Sequence, residues 1–557
     1  MPDVLEDSPD SAPSSALGVP IFRAIWFASM GSNFGGLVQA VGASWLMTTL
    51  TTSPQYVALV QASTALPIML FALLAGAIAD NLDRRRVMIC AQAFMLIVSS
   101  ILAICAWYGV LTPWLLIGFT FLIGCGTALN NPAWQASVGD MVPRDLLPGA
   151  VALNSMGFNI ARSVGPAVGG AIVAAGGAAT AFATNAFSYI ALLAVLVRWR
   201  PDTAPRTLPR ERIDLAISAG IRFVAMSPNI RTVLQRSCFF GMAAAAVPAL
   251  LPVVANDIIT GGPLVLGALL GSFGVGAVGG ALSSGRLRKR YSTEWIVRAA
   301  SVAVLVGTSI TGASGVLLLT MPALMLTGTG WVLALSTFNV SVQMAAPRWV
   351  VARALSLYQM VTFGGMAFGS WLSGYVASHY SIPIALFSAA TLMAVTILLG
   401  LIRPLQQIQT IDLDPLDHWR EPEIAVPLEP RSGPVVITVE HRIAEKDVVA
   451  FLHVMNERRR ICRRDGFLRW TLLRDLGDPQ LWIERFHVPT WLDYVRDAQR
   501  RTKADAAIYE QVEKLHIDGA PAVVHRMVER QPGSMPTAQP PGGRELADPL
   551  TDVTRAT

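Results

Sequence analysis

The densest set of groups able to make and break ion pairs lies at residues 76 to 86. Gly76 is followed by Asp80, Asp83, Arg84, Arg85 and Arg86, closing a run from Ala24 to Ala79 in which no residue carries a formal charge. Charges so placed can pair in one conformation and separate in another, and only contacts that differ between two states bias them. The same charges could equally do no more than fix topology at a membrane. A second group, Arg162, is the one formal charge between Leu146 and Val197. If its segment starts near Gly149, Arg162 is about a dozen residues in, which at about 1.5 Å per residue is close to the midplane of a bilayer. A guanidinium there must face a polar cavity or a partner. It is read either as the group that attracts an anionic or polar substrate or as a hydrogen-bond hub to Asn159 or Asn185. Asn33 and Gln39 in the first apolar segment, with Asn159, complete the candidate substrate-binding set.

Other chemistries find no residues to carry them. His441, His453, His487, His516 and His525 show no metal-ligand spacing, and no nucleophile motif is present. No nucleotide-binding loop occurs. Of the five cysteines, Cys90, Cys105, Cys125 and Cys238 lie in apolar segments and Cys462 stands alone, so neither disulfides nor zinc are expected. No catalytic residue, metal or cofactor is therefore assigned.

The elements that must position these groups are apolar segments. The chain has 557 residues, 53% apolar and 14% charged, too oily for a soluble protein of this size. Charge-poor stretches run over residues 24–79, 87–139, 146–197, 237–285, 299–347 and 354–402. Each has room for two spans of about 20 residues and a turn. Turn or breaker residues fall near their midpoints: Ser53 with Pro54, Thr112 with Pro113, Gly176 with Gly177, Gly262 with Pro263, Pro322 and Pro383. None of these turns holds Lys or Arg. The basic clusters all lie between stretches, which predicts twelve transmembrane helices with both termini cytoplasmic. The net charge of +6 is then a matter of topology, and no nucleic-acid partner is expected.

An internal repeat strengthens this reading. A shift of 204 residues carries Gly76, Arg84 and Arg86 onto Gly280, Arg288 and Arg290, Pro143 and Arg144 onto Pro347 and Arg348, and Gly165 onto Gly369. It carries Asp80 onto Ser284, so the second loop keeps its basic residues, Arg288 among them, and loses the acid. The expected fold class is thus an all-α polytopic membrane protein of two six-helix halves, with a small C-terminal α+β unit. Residues 1–19 read as a disordered tail without a cleaved signal, 20–200 as the first half, 201–230 as a cytoplasmic connector with an amphipathic helix, and 231–404 as the second half. A linker at 405–433 leads to a soluble unit at 434–530, whose order β-α-β-β-α-β suggests a ferredoxin-like domain. Residues 531–557 read as a disordered tail.

The loop Gly76, Asp80, Asp83, Arg84, Arg85 resembles the pattern G-x-x-x-D-r-x-G-R-R that follows the second span in the major facilitator superfamily, with Asp83 in place of the second glycine. Gly165, Pro166, Gly169 and Gly170, in SVGPAVGG, resemble the fifth-span motif of that superfamily's exporters, although Ala161 stands where an earlier glycine is usual. Together with SPQYVALVQ, NPAWQASV and VPRDLLPGAVALN, these fragments resemble the branch that includes the enterobactin exporters, the transmembrane secretion effectors. The resemblance implies a multi-pass secondary transporter of the bacterial cytoplasmic membrane. It would export a small amphiphilic molecule (a siderophore, secondary metabolite or drug) by rocker-switch alternating access, with a gate at Gly76, Asp80, Arg84, Arg85, Arg86 and Arg288. It also implies the proton as coupling ion. Yet no Asp or Glu lies at midplane depth between Ala24 and Ile402, and Thr120 stands where the family's fourth-span Arg would be. The C-terminal unit resembles small dimeric domains related to antibiotic-biosynthesis monooxygenases, which implies self-association. A rival reading makes the spans an anchor for an enzymatic or sensory C-terminal unit; twelve spans with a repeated gate argue against it.

Overall fold

Proline and short polar residues decide where the helices of this chain begin. The computed structural model describes residues 15–143, 146–200, 213–347, 349–405, 424–426, 428–500, 502–517 and 521–529. The sequence assignments for the tails at 1–14 and 531–557 and for most of the linker lie outside the described residues, as do the side chains of Asp80 and Asn159. The first run of helices is α1 (Pro20–Leu50), α2 (Pro54–Asn81), α3 (Arg84–Trp107), α4 (Pro113–Met141) and α5 (Leu147–Arg198). Next come α6 (Ile213–Met226), α7 (Pro228–Ala244) and α8 (Ala246–Val253), the last extended by a π-helical turn at Val254–Ile258. The run closes with α9 (Pro263–Arg290), α10 (Thr293–Ala313), α11 (Leu317–Ala345), α12 (Val351–His379) and α13 (Ile382–Ile402).

Pro54, Pro113, Pro263 and Pro383 sit in the first turns of α2, α4, α9 and α13, where a missing backbone N–H costs nothing. Thr112 and Ser381 cap their helices by accepting from Leu115 N at 3.4 Å and Ile384 N at 3.3 Å. α5 breaks at Gly177, whose φ of +77° favours glycine. One expected turn is displaced. Pro322 lies inside α11, and the break falls at Ser314 to Val316, where the Ser314 hydroxyl accepts from Val316 N at 3.1 Å.

The 204-residue repeat holds element by element in its later part. α4 and α11 begin at 113 and 317 and end at 141 and 345; α5 and α12 begin at 147 and 351; the Gly177 break maps onto Ser381, the cap of α13; and α5 and α13 end at 198 and 402. The loop containing Arg288 departs from it. α2 stops at Asn81, whereas α9 runs through Arg286 and Arg288 to Arg290, so the basic residues expected in a second loop form the last turns of a helix.

The chain is mostly helical, and among the described residues nine helices are long and apolar enough to cross a membrane. Their outward faces suit lipid. On α3, Ile97, Ile101 and Ile104 are exposed while Met95, Val98 and Leu102 are buried, so both faces are apolar.

The described residues group into two compact units. One draws on Met1–Ala204, Val233–Asn339 and Ser356–Gln406, the other on Pro205–Thr232, Val340–Leu355 and Gln407–Thr557. The second unit contains a four-stranded antiparallel sheet of β1 (Val435–Arg442), β2 (Leu468–Arg474), β3 (Leu481–Val488) and β4 (Val523–Val528) in the order β2-β3-β1-β4. Val435, Ile437 and Val439 of β1 pack with Phe486 and Val488 of β3 on Cys462 of α14 (Val448–Asp465) and on Trp491, Tyr494 and Val495 of α15 (Trp491–Arg500). The single helix expected after β3 is two. A second, α16 (Lys503–Glu513), starts at Thr502, whose hydroxyl accepts from Asp505 N while the Asp505 carboxylate accepts from Thr502 N.

Candidate functional site

The two sequence repeats meet in the first unit, and two of the helix pairs along which they do so, α5 with α9 and α2 with α12, are lined by small residues. On α5, the segment Gly165, Pro166, Gly169 and Gly170 has its small residues against neighbouring helices. A side chain at Gly165 or Gly169 would press on Leu37, Val38 and Val41 of α1, and one at Gly170 on the backbone of Pro263 and Gly267 of α9. Gly267, Gly271 and Gly274 form the facing stripe on α9, and the Ser163 hydroxyl donates to the carbonyl of Gly274 at 3.1 Å. Such a stripe lets helix backbones approach closely. The second pair is α2 with α12. The backbone N–H of Gln55 donates to the hydroxyl of Ser378 at 2.9 Å, Ala58 lies on Gly374, Met69 on Gly364, and Gly76 beside Ser356. This seam therefore runs from the end of the unit bearing the midpoint turns to the end bearing the arginine-rich loop.

Arg162, one residue before the Ser163 contact, points between the repeats. Its guanidinium carbon lies 5.7 Å from the ring centroid of Phe273 on α9 and 5.9 Å from that of Trp331 on α11, and these two rings meet edge-to-face at 5.7 Å. A cation over aromatic faces is attracted to their negative quadrupoles. Phe273 and Trp331 are buried and Arg162 is half-buried. Among the described residues no carboxylate pairs with this guanidinium and no hydrogen bond holds it. A cation so placed, flanked by flat apolar surfaces, can take an anionic group joined to an apolar body. Phe273 and Trp331 were not legible as site residues because each stands in an apolar helix indistinguishable from core.

The expected hub at Asn185 serves other groups. Its amide donates to Gln39 Oε1, to Tyr189 Oη at 3.1 Å and to Ser99 Oγ at 3.4 Å, and Ser99 donates to Gln39 at 3.1 Å. Gln39, which the sequence offers as a substrate-binding residue, is 4% exposed and ties α1 to α3 and α5 through this buried network. Asn33 is half-buried on α1.

At the arginine-rich end, Asp83 caps α3 by accepting from Arg85 N at 3.0 Å and Arg86 N at 3.4 Å, so the turn forms without a glycine. Arg84 donates to Asp140 of α4 at 2.8 Å and to the carbonyl of Ala136 at 3.0 Å. Arg85 donates to the last carbonyls of α5, Leu196 at 2.9 Å and Val197 at 2.7 Å, which also suits the helix dipole. Arg86 sits 3.5 Å from Asp83. These contacts all stay within the first repeat. In the second, Arg288 donates to Ser284 one turn back at 3.0 Å, and Met344 stands 204 residues on from Asp140.

A buried ion-pair cluster near the same end went unread in the sequence, because its members flank basic loops. Glu294 of α10 accepts from Arg236 of α7 at 2.6 Å, from Arg298 at 2.7 Å and from the N–H of Leu405 at 2.8 Å, and Arg298 also donates to the Gly400 carbonyl at 3.0 Å. At the opposite end a cavity of about 480 Å³ is lined by Pro54, Ser381 and Pro383 at the midpoint turns, by Gly315 in the break before α11 and by Asp257 in the π-helical turn.

A family model described as "Transmembrane secretion effector" matches residues 11–532, running through the helical unit and the C-terminal sheet alike. Over 251 residues the chain is 27% identical to the staphyloferrin A transporter of Staphylococcus aureus (strain NCTC 8325 / PS 47), a match covering 44% of this chain and 62% of that protein. Over 378 residues it is 26% identical to the enterobactin exporter EntS of Escherichia coli O1:K1 / APEC, covering 67% of this chain and 88% of that one. A bacterial homologue of the human lysosomal transporter Spinster, solved inward-facing and unoccupied, superposes with a TM-score of 0.55 at 13% identity, over 69% of this chain and 94% of that one. A POT family transporter in complex with a thioalcohol-conjugated peptide gives 0.57 at 12% identity, over 68% and 95%. At such identities the likeness to these structures is one of fold.

Proposed function

Because the chain belongs to the transmembrane secretion effector family of major facilitator superfamily transporters, we propose that it exports a small amphiphilic molecule carrying negative charge, with Arg162 as the group that meets that charge. A siderophore, a secondary metabolite or an anionic drug would fit; two of the relatives are named for enterobactin and staphyloferrin A. One observation carries the reading: the Arg162 guanidinium lies between the repeats on Phe273 and Trp331 and has no acidic partner among the described residues.

In this reading twelve spans form two six-helix halves. They comprise the nine apolar helices, α1 and α12, with α5 counted as two spans at Gly177. The midpoint turns face outward and both termini are cytoplasmic, in a bacterial cytoplasmic membrane. The halves rock about the Arg162 level, with the α5–α9 and α2–α12 seams opening and closing as they do. Gly76, Asp80, Arg84, Arg85, Arg86 and Arg288 form the cytoplasmic gate, with Arg84 and Arg85 anchoring its loop to α4 and α5. The proton is the proposed coupling ion, and the C-terminal domain, ferredoxin-like in its strand order, is the proposed site of self-association.

Counterflow in proteoliposomes tests this with a panel of anionic, neutral and cationic amphiphiles, run with and without a pH gradient. Exchange of anionic members alone supports the reading; exchange of cations in preference to anions overturns the role of Arg162.

A further inference from the structure

A helix C-terminus leaves carbonyl groups without intrahelical donors. At the end of α14 they are taken up by an arginine from a distant part of the chain. Arg222 of α6 donates through Nε to the carbonyl of Arg464 at 3.1 Å and through Nη2 to that of Asp465 at 3.3 Å. The chain then turns at Gly466 with φ +107°, and a side chain there would run into the Arg222 guanidinium. The glycine is thus required twice, by its backbone angle and by the approach of α6. Arg464, fixed by Asp465 at 2.8 Å and Asp505 at 3.1 Å, lies over the ring of Phe223 at 5.3 Å.

The same short stretch of α6 makes a second set of contacts. Phe223 meets Trp349 edge-to-face at 5.7 Å, and Gly220 packs on the side chain of Arg353. Trp349 lies in the connection between α11 and α12, and Arg353 in the first turn of α12. One residue, Phe223, therefore touches both the sheet-bearing domain and the α11–α12 connection. α12 runs on from that connection to His379, so a change in its tilt is carried through the backbone to Trp349 and Arg353.

We propose that this docking is a brake: the C-terminal domain, by clamping α6 to the α11–α12 connection, holds the conformer in which the α2–α12 seam is closed. A contact present in one conformer and lost in the other favours the first by the difference. The clamp grips the start of α12, the helix that further along its length forms one wall of that seam. Two charge-assisted donors and an aromatic edge contact are enough to matter on the scale of a conformational equilibrium. The inference goes beyond the transport reading, and its test needs no substrate.

The test uses the full chain in detergent, with Cys90, Cys105, Cys125 and Cys238 replaced by serine and Ala58→Cys as reporter. Ala58 is fully buried against Gly374 of α12, so its modification by a maleimide reads opening of the seam. Hydrogen exchange over residues 213–226 and 448–466 reads docking in the same samples. Arg222→Ala is expected to lose protection in both segments and to raise the modification rate about 3-fold to 10-fold. Arg222→Lys, which keeps the charge and part of the donor set, is expected to fall between. Modification no faster than in the parent when docking is lost would overturn the brake. Protection that persists in Arg222→Ala would overturn the assignment of Arg222 as its anchor. If Arg222→Ala does not fold, Phe223→Ala, which removes both ring contacts, takes its place: modification that speeds up supports the brake, and modification at the parent's rate overturns it.

Discussion

Ser163 and Gly274 lie so close that the hydroxyl of one donates to the backbone carbonyl of the other at 3.1 Å, while a side chain added at Gly274 would meet the carbonyl of Arg162 and the Cα of Ser163, both at 2.6 Å. The arginine proposed to meet the substrate is thus positioned by a backbone contact between the repeats. Gly274→Val places branched carbons against main-chain atoms that cannot yield. It is expected to abolish exchange of substrate while the protein still inserts and purifies as the parent does. Wild-type exchange would show that the α5–α9 seam need not close.

Glu294 is held by two guanidinium groups and the Leu405 N–H, with Arg236 5% and Glu294 8% exposed. Removing the acid leaves a buried positive charge unpaired, which costs ~3–5 kcal/mol where burial is complete. Glu294→Gln should therefore lower the thermal unfolding temperature in detergent clearly more than Arg298→Met, whose side chain is partly exposed. Equal effects would mean that the cluster is held mainly by packing.

Within the C-terminal domain, Glu484 accepts from Arg458 at 2.7 Å and from Trp470 at 2.7 Å, with His441 3.5 Å away and His441 joined to His516 at 2.9 Å. Burial alone would raise the Glu484 carboxyl, but the Arg458 charge and the donors outweigh it and hold it at about 2. Burial pushes the His441 imidazole below its usual range, with help from Arg458 and His516 and against the pull of Glu484. The signs agree. A depressed carboxylate gives stability present above its ordinary value of 4.5 and lost as pH falls toward about 2. A depressed imidazole adds a further loss below its ordinary 6.5, where the unfolded chain takes a proton that the folded domain refuses. Hydrogen exchange over residues 435–528 of the full chain should accelerate as pH-corrected rates are followed from 7.5 down to 3, before the helical unit changes. In Glu484→Gln the step below 4.5 should be absent. Protection that is flat with pH would refute the assignment.

Arg84 and Asp140 pair at 2.8 Å with 28% and 38% of their side chains exposed. Such a pair is worth ~0.2–1 kcal/mol. A double-mutant cycle with Arg84→Met and Asp140→Asn should give a coupling of that size in unfolding. A coupling several times larger would mark the pair as buried in the membrane-bound state.

Charge and turn residues made much of this architecture legible. The uncharged runs, the Gly177 turn and the 204-residue shift foretold the ends of α4, α5, α11, α12 and α13 because a span is bounded by whatever cannot sit in lipid. The order of strands and helices after Val435 was legible through its alternating apolar residues. The break at Thr502 was not, because a capping box formed by Thr502 and Asp505 needs only two polar residues inside an otherwise helical run. Pro322 misled because a proline near the start of a helix and one that ends a helix read alike. For the site, the sequence offered Arg162 but not Phe273 or Trp331. That Gln39 joins a buried network was not legible, because an amide serves a network or a substrate with the same letters. The Glu294 cluster was hidden by its neighbours, since charges beside a basic loop look like part of that loop.

The account stands most directly on counterflow of an anionic substrate into proteoliposomes by the parent protein and by Arg162→Met, the residue that Met366 provides at the repeat-equivalent position. The account predicts that the variant inserts, purifies and unfolds as the parent does and loses exchange of the anionic substrate. Exchange by Arg162→Met at the parent's rate and affinity would contradict it.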